Sequence, residues 1–180
     1  MKIRSEKVTN QVKIGAISLF IGALLNLTRL FPIFLNNDTF PPKTTEVLTN
    51  MTLNDGWIMS HIMGFLSTPL VIIGIWVLYD IFKKRNRNTV VRYAFVFIMV
   101  GMILYGIAVG VDGLLLPQAS SVLNDSINGN YEMALMIQNN VHALALMFGS
   151  LSLIANLFGG ILLGISFIRE TPFRSLGFIG

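Results

Sequence analysis

Four long apolar stretches dominate this sequence and limit the chain to very few folds. They lie near residues 13–35, 57–82, 91–116 and 138–168. Each is long enough to cross a hydrocarbon core of roughly 30 Å, which takes about 20 helical residues. Because only 12% of the residues are charged, an ordinary soluble domain is not expected. We therefore predict an all-α fold, a four-transmembrane-helix bundle that forms a single integral membrane domain over residues 1–180.

The connections between these stretches differ in charge, and the difference predicts the topology. The connection 83–92, "KKRNRNTVVR", is short and carries five basic residues, whereas 36–56 and 117–137 hold mostly acidic and neutral polar residues. Basic loops stay on the cytoplasmic side of a membrane. Both termini and the 83–92 loop are therefore predicted to be cytoplasmic, with the acidic connections outside. The first stretch is too long for a cleaved signal peptide and precedes three more spans, so it is predicted to be a retained helix.

Two residues are predicted to mark helix boundaries. Pro117 ends the third apolar stretch, and proline normally breaks a helix because it has no backbone N–H. Asn130 precedes the fourth stretch and is a favourable helix cap, so the fourth helix is expected to start before its apolar part and to project beyond the membrane.

Polar residues inside the spans fall on the same helical faces as glycine, alanine and serine, which lets us predict where they meet. Small residues allow membrane helices to pack closely, so these faces are expected to point into the bundle. Counting about 1.5 Å per residue from the cytoplasmic basic residues places the charged members in the outer half of the membrane. We expect a structural polar cluster near the outer face, with Asp112 at its centre and His61 and His142 beside it; its other members are Asn26, Arg29, Asn139 and Asn156.

The same residues suggest cofactor chemistry, and the sequence leaves the alternatives open. The cluster can serve simply to hold the helices in register, since buried charges persist when they are paired. His61 and His142 are also the minimum for bis-imidazole ligation of haem b, with Arg29 for a propionate. A third alternative is a divalent metal held by His61, His142 and Asp112. The sequence has no cysteine and no HxxxH or HExxH motif.

No catalytic motif is found, so an enzyme is not favoured. Ser60 directly precedes His61, and adjacent helical residues point about 100° apart, which does not make a catalytic dyad. The basic residues lie beside apolar runs rather than in a nucleic-acid-binding patch. The predicted role is therefore a non-enzymatic accessory, interaction or sensing protein, and the alternative is a haem b or divalent-metal redox module. Its predicted partners are the lipid bilayer and either a homodimer mate or another membrane protein, and nucleic acid is not expected. Small-residue spacings such as Gly160 to Gly164 suit close helix packing or dimerisation, and packing within the chain is favoured.

Two short motifs carry a resemblance to other proteins. "HIMG" opens the second apolar stretch and "GVDGLLLP" closes the third. The pairing resembles that of bacterial four-span integral membrane proteins of unassigned function, over the last three spans. The resemblance implies the architecture only, and it implies no activity. The predicted location is a bacterial cytoplasmic membrane.

Overall fold

The fold is all-α across the residues that the computed structural model describes, which are 2–29, 44–85, 89–126 and 130–169. Within these ranges no strand occurs. Four candidate membrane spans are found among the described residues, each long and apolar enough to cross a bilayer. The predicted all-α, four-span architecture is therefore confirmed. In chain order the helices are α1 (Lys2–Thr28), α2 (Thr45–Thr52), α3 (Asp55–Arg85), α4 (Thr89–Gly110), a π-helical segment (Val111–Leu115), α5 (Leu116–Asn124) and α6 (Tyr131–Arg169).

Many large apolar side chains of these helices are exposed, as expected for surfaces that face lipid. Phe20 of α1 is 70% exposed, and Leu153 of α6 is 71% exposed. A water-soluble domain rarely presents apolar patches of this size, because burial of apolar surface is its main driving force. The bilayer is therefore the natural environment of the helices.

The helix boundaries agree with the sequence at some ends and differ at others. The helix α6 begins at Tyr131, directly after Asn130, so the early start predicted for the fourth helix is confirmed. The predicted end of the first helix, residues 30–35, lies outside the described residues.

The predicted helix break at Pro117 is wrong. The chain continues through the π-helical segment into α5, and Pro117 lies in the first turn of α5. The first turn is where a helix tolerates proline, because the N–H groups there have no partner within the helix. The wider π turn just before it absorbs the change of register, so one continuous span runs from Thr89 to Asn124.

A short helix that the sequence analysis did not predict lies in the first polar connection. The backbone N–H of Val47 donates to the Thr44 side chain at 3.3 Å and caps the start of α2. Leu48 and Met51 of this helix pack with Trp57 and Leu116 in a buried apolar core. The connection between the first two spans is thus partly folded onto the protein.

The chain forms two compact units. Unit 1 comprises Met1–Gly22, Thr68–Leu104 and Leu151–Gly180, and unit 2 comprises Ala23–Ser67 and Tyr105–Ser150. The core of unit 1 is built from Ile75, Val91 and Phe95 with partly buried apolar neighbours. Unit 2 contains α2, the π-helical segment, His61, Asp112 and His142.

Candidate functional site

The centre of the candidate site is a contact between His61 of α3 and Asp112 of the π-helical segment. His61 Nε2 lies 3.0 Å from Asp112 Oδ2, and both residues belong to unit 2. The His61 side chain is 6% exposed and that of Asp112 is 24% exposed. This separation is a hydrogen-bonding distance, so the two side chains form a hydrogen bond.

Trp57 determines how His61 is protonated. His61 Nδ1 lies 2.7 Å from the carbonyl oxygen of Trp57, one helical turn earlier in α3. A carbonyl oxygen can only accept, so Nδ1 carries a hydrogen and donates it. The indole of Trp57 also stacks on the imidazole, with ring centroids 4.5 Å apart and planes at 30°. Trp57 therefore fixes the orientation of the His61 ring and keeps a hydrogen on its Nδ1 atom.

The π-helical segment gives Trp57 a second role. The backbone N–H of Leu116 donates to the carbonyl of Val111, five residues earlier. In that register the next donor would be residue 117 and its acceptor the carbonyl of Asp112, but Pro117 has no N–H. Trp57 Nε1 donates to this carbonyl instead, at 3.0 Å. The contact ties α3 to the π-helical segment at the residue that carries the carboxylate.

Gly113 allows α3 to approach the π-helical segment this closely. A Cβ atom at position 113 would overlap the Cβ of His61 and lie 3.0 Å from its Cγ. Here the absence of a side chain is a steric requirement of the site, because any other residue would push the His61 backbone away from the carboxylate. The "VDG" of the sequence thus combines the charged group with the space that its partner needs.

His142 of α6 faces the other oxygen of the same carboxylate. Its Nδ1 atom lies 4.0 Å from Asp112 Oδ1, which is too long for a hydrogen bond. Both atoms are buried, and neither has a hydrogen-bond partner among the described residues. Asp112 therefore lies between two imidazole rings, bonded to one and close to the other.

Arg29 and Asn26 lie in unit 2, but they contact Tyr105 rather than Asp112. Tyr105 donates from its hydroxyl to Asn26 Oδ1 at 2.5 Å, and the Arg29 Cζ atom lies 5.3 Å from the centroid of the Tyr105 ring. Arg29 also fills the space beside Gly64, one turn along α3 from His61. Among the described residues, no ion pair joins Arg29 to Asp112.

Two asparagines of the predicted cluster lie elsewhere. Asn139 is exposed on α6. Asn156 belongs to unit 1, where its Nδ2 atom donates to Ser152 Oγ at 3.3 Å and its side chain fills the space beside Gly101. Helical periodicity placed Asn156 on the same face of α6 as His142, but the helix is long enough for the two residues to fall in different units.

A second buried polar group was missed by the sequence analysis. Gln138 of α6 is fully buried, and its Nε2 atom donates to Thr49 Oγ1 and to Ser120 Oγ, both at 2.8 Å. Thr52 Oγ1 also donates to Ser120 Oγ, at 2.7 Å. These bonds join α2, α5 and α6. The sequence signal for this group was the spacing of threonines in the 36–56 connection. Thr45, Thr49 and Thr52 lie four and three residues apart, which is typical of one face of a helix.

The arrangement does not suit bis-imidazole haem. The Nε2 atom of His61 contacts Asp112, and the carboxylate lies between the two imidazoles. A haem iron would need that position and one ligating nitrogen from each ring. Metal ligation is not supported either, because no group of three or more His, Asp or Glu side chains in the described ranges is arranged to hold a metal ion.

Comparison of the chain with protein-family models, with curated proteins and with solved structures finds no match. The resemblance of "HIMG" and "GVDGLLLP" to bacterial four-span membrane proteins thus stays a prediction. Any functional proposal depends on the contacts of the polar residues themselves.

Proposed function

We propose that the protein is a non-enzymatic, multi-pass membrane protein that senses protons through His61, Asp112 and His142. The observation that carries the proposal is one carboxylate between two imidazoles, 3.0 Å from the first and 4.0 Å from the second. Histidine is the side chain whose charge changes most readily between about pH 5 and 8. A site with two histidines and one carboxylate can therefore exist in several protonation states at ordinary pH.

The first proton of the site belongs to the His61 and Asp112 pair. Since Nδ1 of His61 already donates to Trp57, a hydrogen bond between Nε2 and the carboxylate needs one further proton. Either the imidazole is a cation beside a carboxylate, or a neutral imidazole accepts from a carboxylic acid. In both forms the pair holds one proton more than neutral histidine and ionised aspartate do separately.

The second proton is the one that changes the structure. A proton gained by His142 would give its ring a donor at each nitrogen and a positive charge facing Asp112 Oδ1. The present separation of 4.0 Å would then shorten towards about 2.8 Å, the usual length of a charge-assisted hydrogen bond. Proton uptake would thereby draw α6 towards the π-helical segment by about 1 Å, the difference between these two distances. A shift of this size is within the range by which helices move in switching proteins.

Other charged and titratable groups lie near the site. Arg29, directly after α1, and Tyr105, on α4, are held together by the cation–π contact, and Arg29 approaches α3 at Gly64.

The location that we propose follows from the charge of the connections. The basic 83–92 segment favours cytoplasmic termini, which places His61, Asp112 and His142 towards the outer face of a bacterial cytoplasmic membrane. The site would then respond to the pH outside the cell. Reporter fusions to the C-terminus and to the 117–137 connection test this orientation, and the fusion to the connection is expected outside.

Tryptophan fluorescence tests the proton response directly. The chain has two tryptophans, so Trp76→Phe leaves Trp57, stacked on His61, as the reporter. We expect the emission of this variant in liposomes to change in one sigmoidal step as the pH is lowered. His142→Gln and Asp112→Asn, each added to Trp76→Phe, are expected to remove the step.

The matched control in this titration is Asp125→Asn, which neutralises an exposed carboxylate in the same unit. It is expected to leave the step unchanged. A chelator in all samples keeps metal ions from producing the signal. Constant emission across the pH range, or a step that persists in both His142→Gln and Asp112→Asn, would contradict proton sensing at this site.

A further inference from the structure

A groove on unit 1 offers a second site, independent of the polar residues of unit 2. It has a volume of about 360 Å³ and lies between α3 and α4. Its walls are apolar and aromatic, and among the described residues that line it Arg92 is the charged one. Several of the side chains that line it are strongly exposed, including Trp76 at 56%, Val96 at 57% and Ile103 at 51%.

The dimensions of the groove match one leaflet of a bilayer. Arg92 and Ile103 both line it and lie on the same helix, α4, eleven residues apart. At about 1.5 Å per residue this separation is about 16 Å. The hydrocarbon core of a bilayer is about 30 Å thick, so one leaflet contributes about 15 Å. An acyl chain that begins near Arg92 would therefore follow the groove as far as Ile103.

The end of the groove at Arg92 has the composition of a membrane interface. Trp76 and Tyr79 lie there with ring centroids 6.1 Å apart, and the Tyr79 ring contacts that of Phe95 at 5.4 Å. Lys83 Nζ lies 5.8 Å from the centroid of the Tyr79 ring. Tryptophan and tyrosine are enriched at the level of lipid headgroups, and basic side chains at this level attract anionic lipids.

The charge at this end is complementary to a phosphate diester that carries a net negative charge. Arg92 is exposed, as is Lys83, and both lie in the basic 83–92 segment. Asp80, on α3, is the acidic residue among the described residues of this region, and it is half-buried. With two exposed cations against one half-buried carboxylate in the described part of the chain, the end of the groove favours an anionic over a zwitterionic headgroup.

We propose that this groove binds an anionic glycerophospholipid, with the headgroup phosphate at Arg92 and Lys83 and one acyl chain along the apolar walls to Ile103. The lipid belongs to the leaflet on the side of the 83–92 segment. It fills a surface that the protein's own helices leave open, and it holds the ends of α3 and α4 together where the chain passes from one to the other.

Quenching of tryptophan by brominated lipids tests the proposal on the full-length protein in vesicles. Trp76 lines the groove, whereas Trp57 is only 3% exposed and is shielded from lipid. In phosphatidylcholine vesicles, brominated phosphatidylglycerol should reach half-maximal quenching at about a fivefold lower mole fraction than brominated phosphatidylcholine. The factor corresponds to about 1 kcal/mol for the one net positive charge that Arg92 and Lys83 retain beside Asp80.

Three variants make this experiment specific. Arg92→Gln should reduce the fivefold preference to less than about twofold, and Arg92→Lys should retain most of it. Lys13→Gln is the matched control, since it removes one exposed charge from α1 of the same unit. It is expected to leave the preference unchanged.

The outcomes that would overturn the proposal are distinct. Equal quenching by both brominated lipids means that the groove does not select the headgroup. An equal loss of preference in Lys13→Gln and Arg92→Gln means that bulk surface charge attracts the lipid. Resistance of Trp76 to both lipids means that another protein surface, such as a second copy of this chain, covers the groove.

Discussion

Replacing Asp112 by alanine is expected to destabilise the protein much more than replacing it by asparagine. Alanine removes both oxygens that face His61 and His142 and leaves the buried Nε2 atom of His61 without a partner. Asparagine keeps the shape of the side chain. Its Nδ2 atom can donate to Nε2 of a neutral His61 whose hydrogen stays on Nδ1, so one hydrogen bond is retained and only the additional proton is lost.

The expected magnitudes follow from the contacts. A hydrogen bond to a charged group contributes about 1.5–3 kcal/mol, and loss of the partner leaves a buried polar atom unsatisfied. Between membrane helices, neutral hydrogen bonds contribute only about 0.6 kcal/mol on average, because the unfolded chain in the bilayer finds other partners. We therefore expect Asp112→Ala to lower the free energy of unfolding by about 2–3 kcal/mol and Asp112→Asn by about 1 kcal/mol or less.

Reversible unfolding in mixed detergent and lipid micelles measures both values, and a double-mutant cycle attributes them to the pair. The cycle combines Asp112→Ala with His61→Gln, and the coupling energy is expected to be at least about 1 kcal/mol. The control cycle combines Asp125→Ala with His61→Gln and should be additive within about 0.5 kcal/mol. Equal effects of alanine and asparagine at position 112, or additivity in the first cycle, would refute the assignment of a proton-sharing pair.

Two further substitutions test the packing around the site. Gly113→Ala should lower the free energy of unfolding by about 1–3 kcal/mol in the same assay, since its Cβ would overlap that of His61. Gly160→Ala is the control, because no neighbouring atom lies within 4 Å of the new methyl group. This substitution should be neutral or slightly stabilising. Gln138→Leu should lower the free energy of unfolding by about 1–3 kcal/mol, because it leaves buried hydroxyl groups without their amide donor. It should also increase proteolysis near Ser120. Unchanged stability and unchanged protease resistance would contradict the role of this network.

The sequence was sufficient to predict the four spans and the approach of His61, Asp112 and His142, because both depend on simple periodicities. Long apolar stretches can satisfy their backbone groups in lipid only as helices, so the spans follow from hydropathy. Residues one or two turns apart share a helical face, and depth can be counted from basic residues at the membrane surface. These two rules placed His61, Asp112 and His142 at a similar depth on inward faces.

The partners of individual atoms could not be predicted in this way. The sequence placed Arg29 in the polar cluster around Asp112, but Arg29 lies over Tyr105 instead. The role of Pro117 depends on a π turn, which has no reliable signal in a single sequence, and the bond from Trp57 to the Asp112 carbonyl follows from that turn. The hydrogen-bonding register of the helix backbone at the π turn, rather than the type of residue, determines which atoms meet there.

Nitrogen-15 NMR of the histidine rings in lipid bilayers tests the central claim most directly. The chain has two histidines, so His142→Gln leaves His61 as the only signal. The account predicts a hydrogen on His61 Nδ1, directed at the Trp57 carbonyl, and a second proton shared between Nε2 and the Asp112 carboxylate. It further predicts that Asp112→Asn removes the shared proton and leaves the Nδ1 hydrogen in place. A His61 ring whose Nδ1 carries no hydrogen would contradict the account.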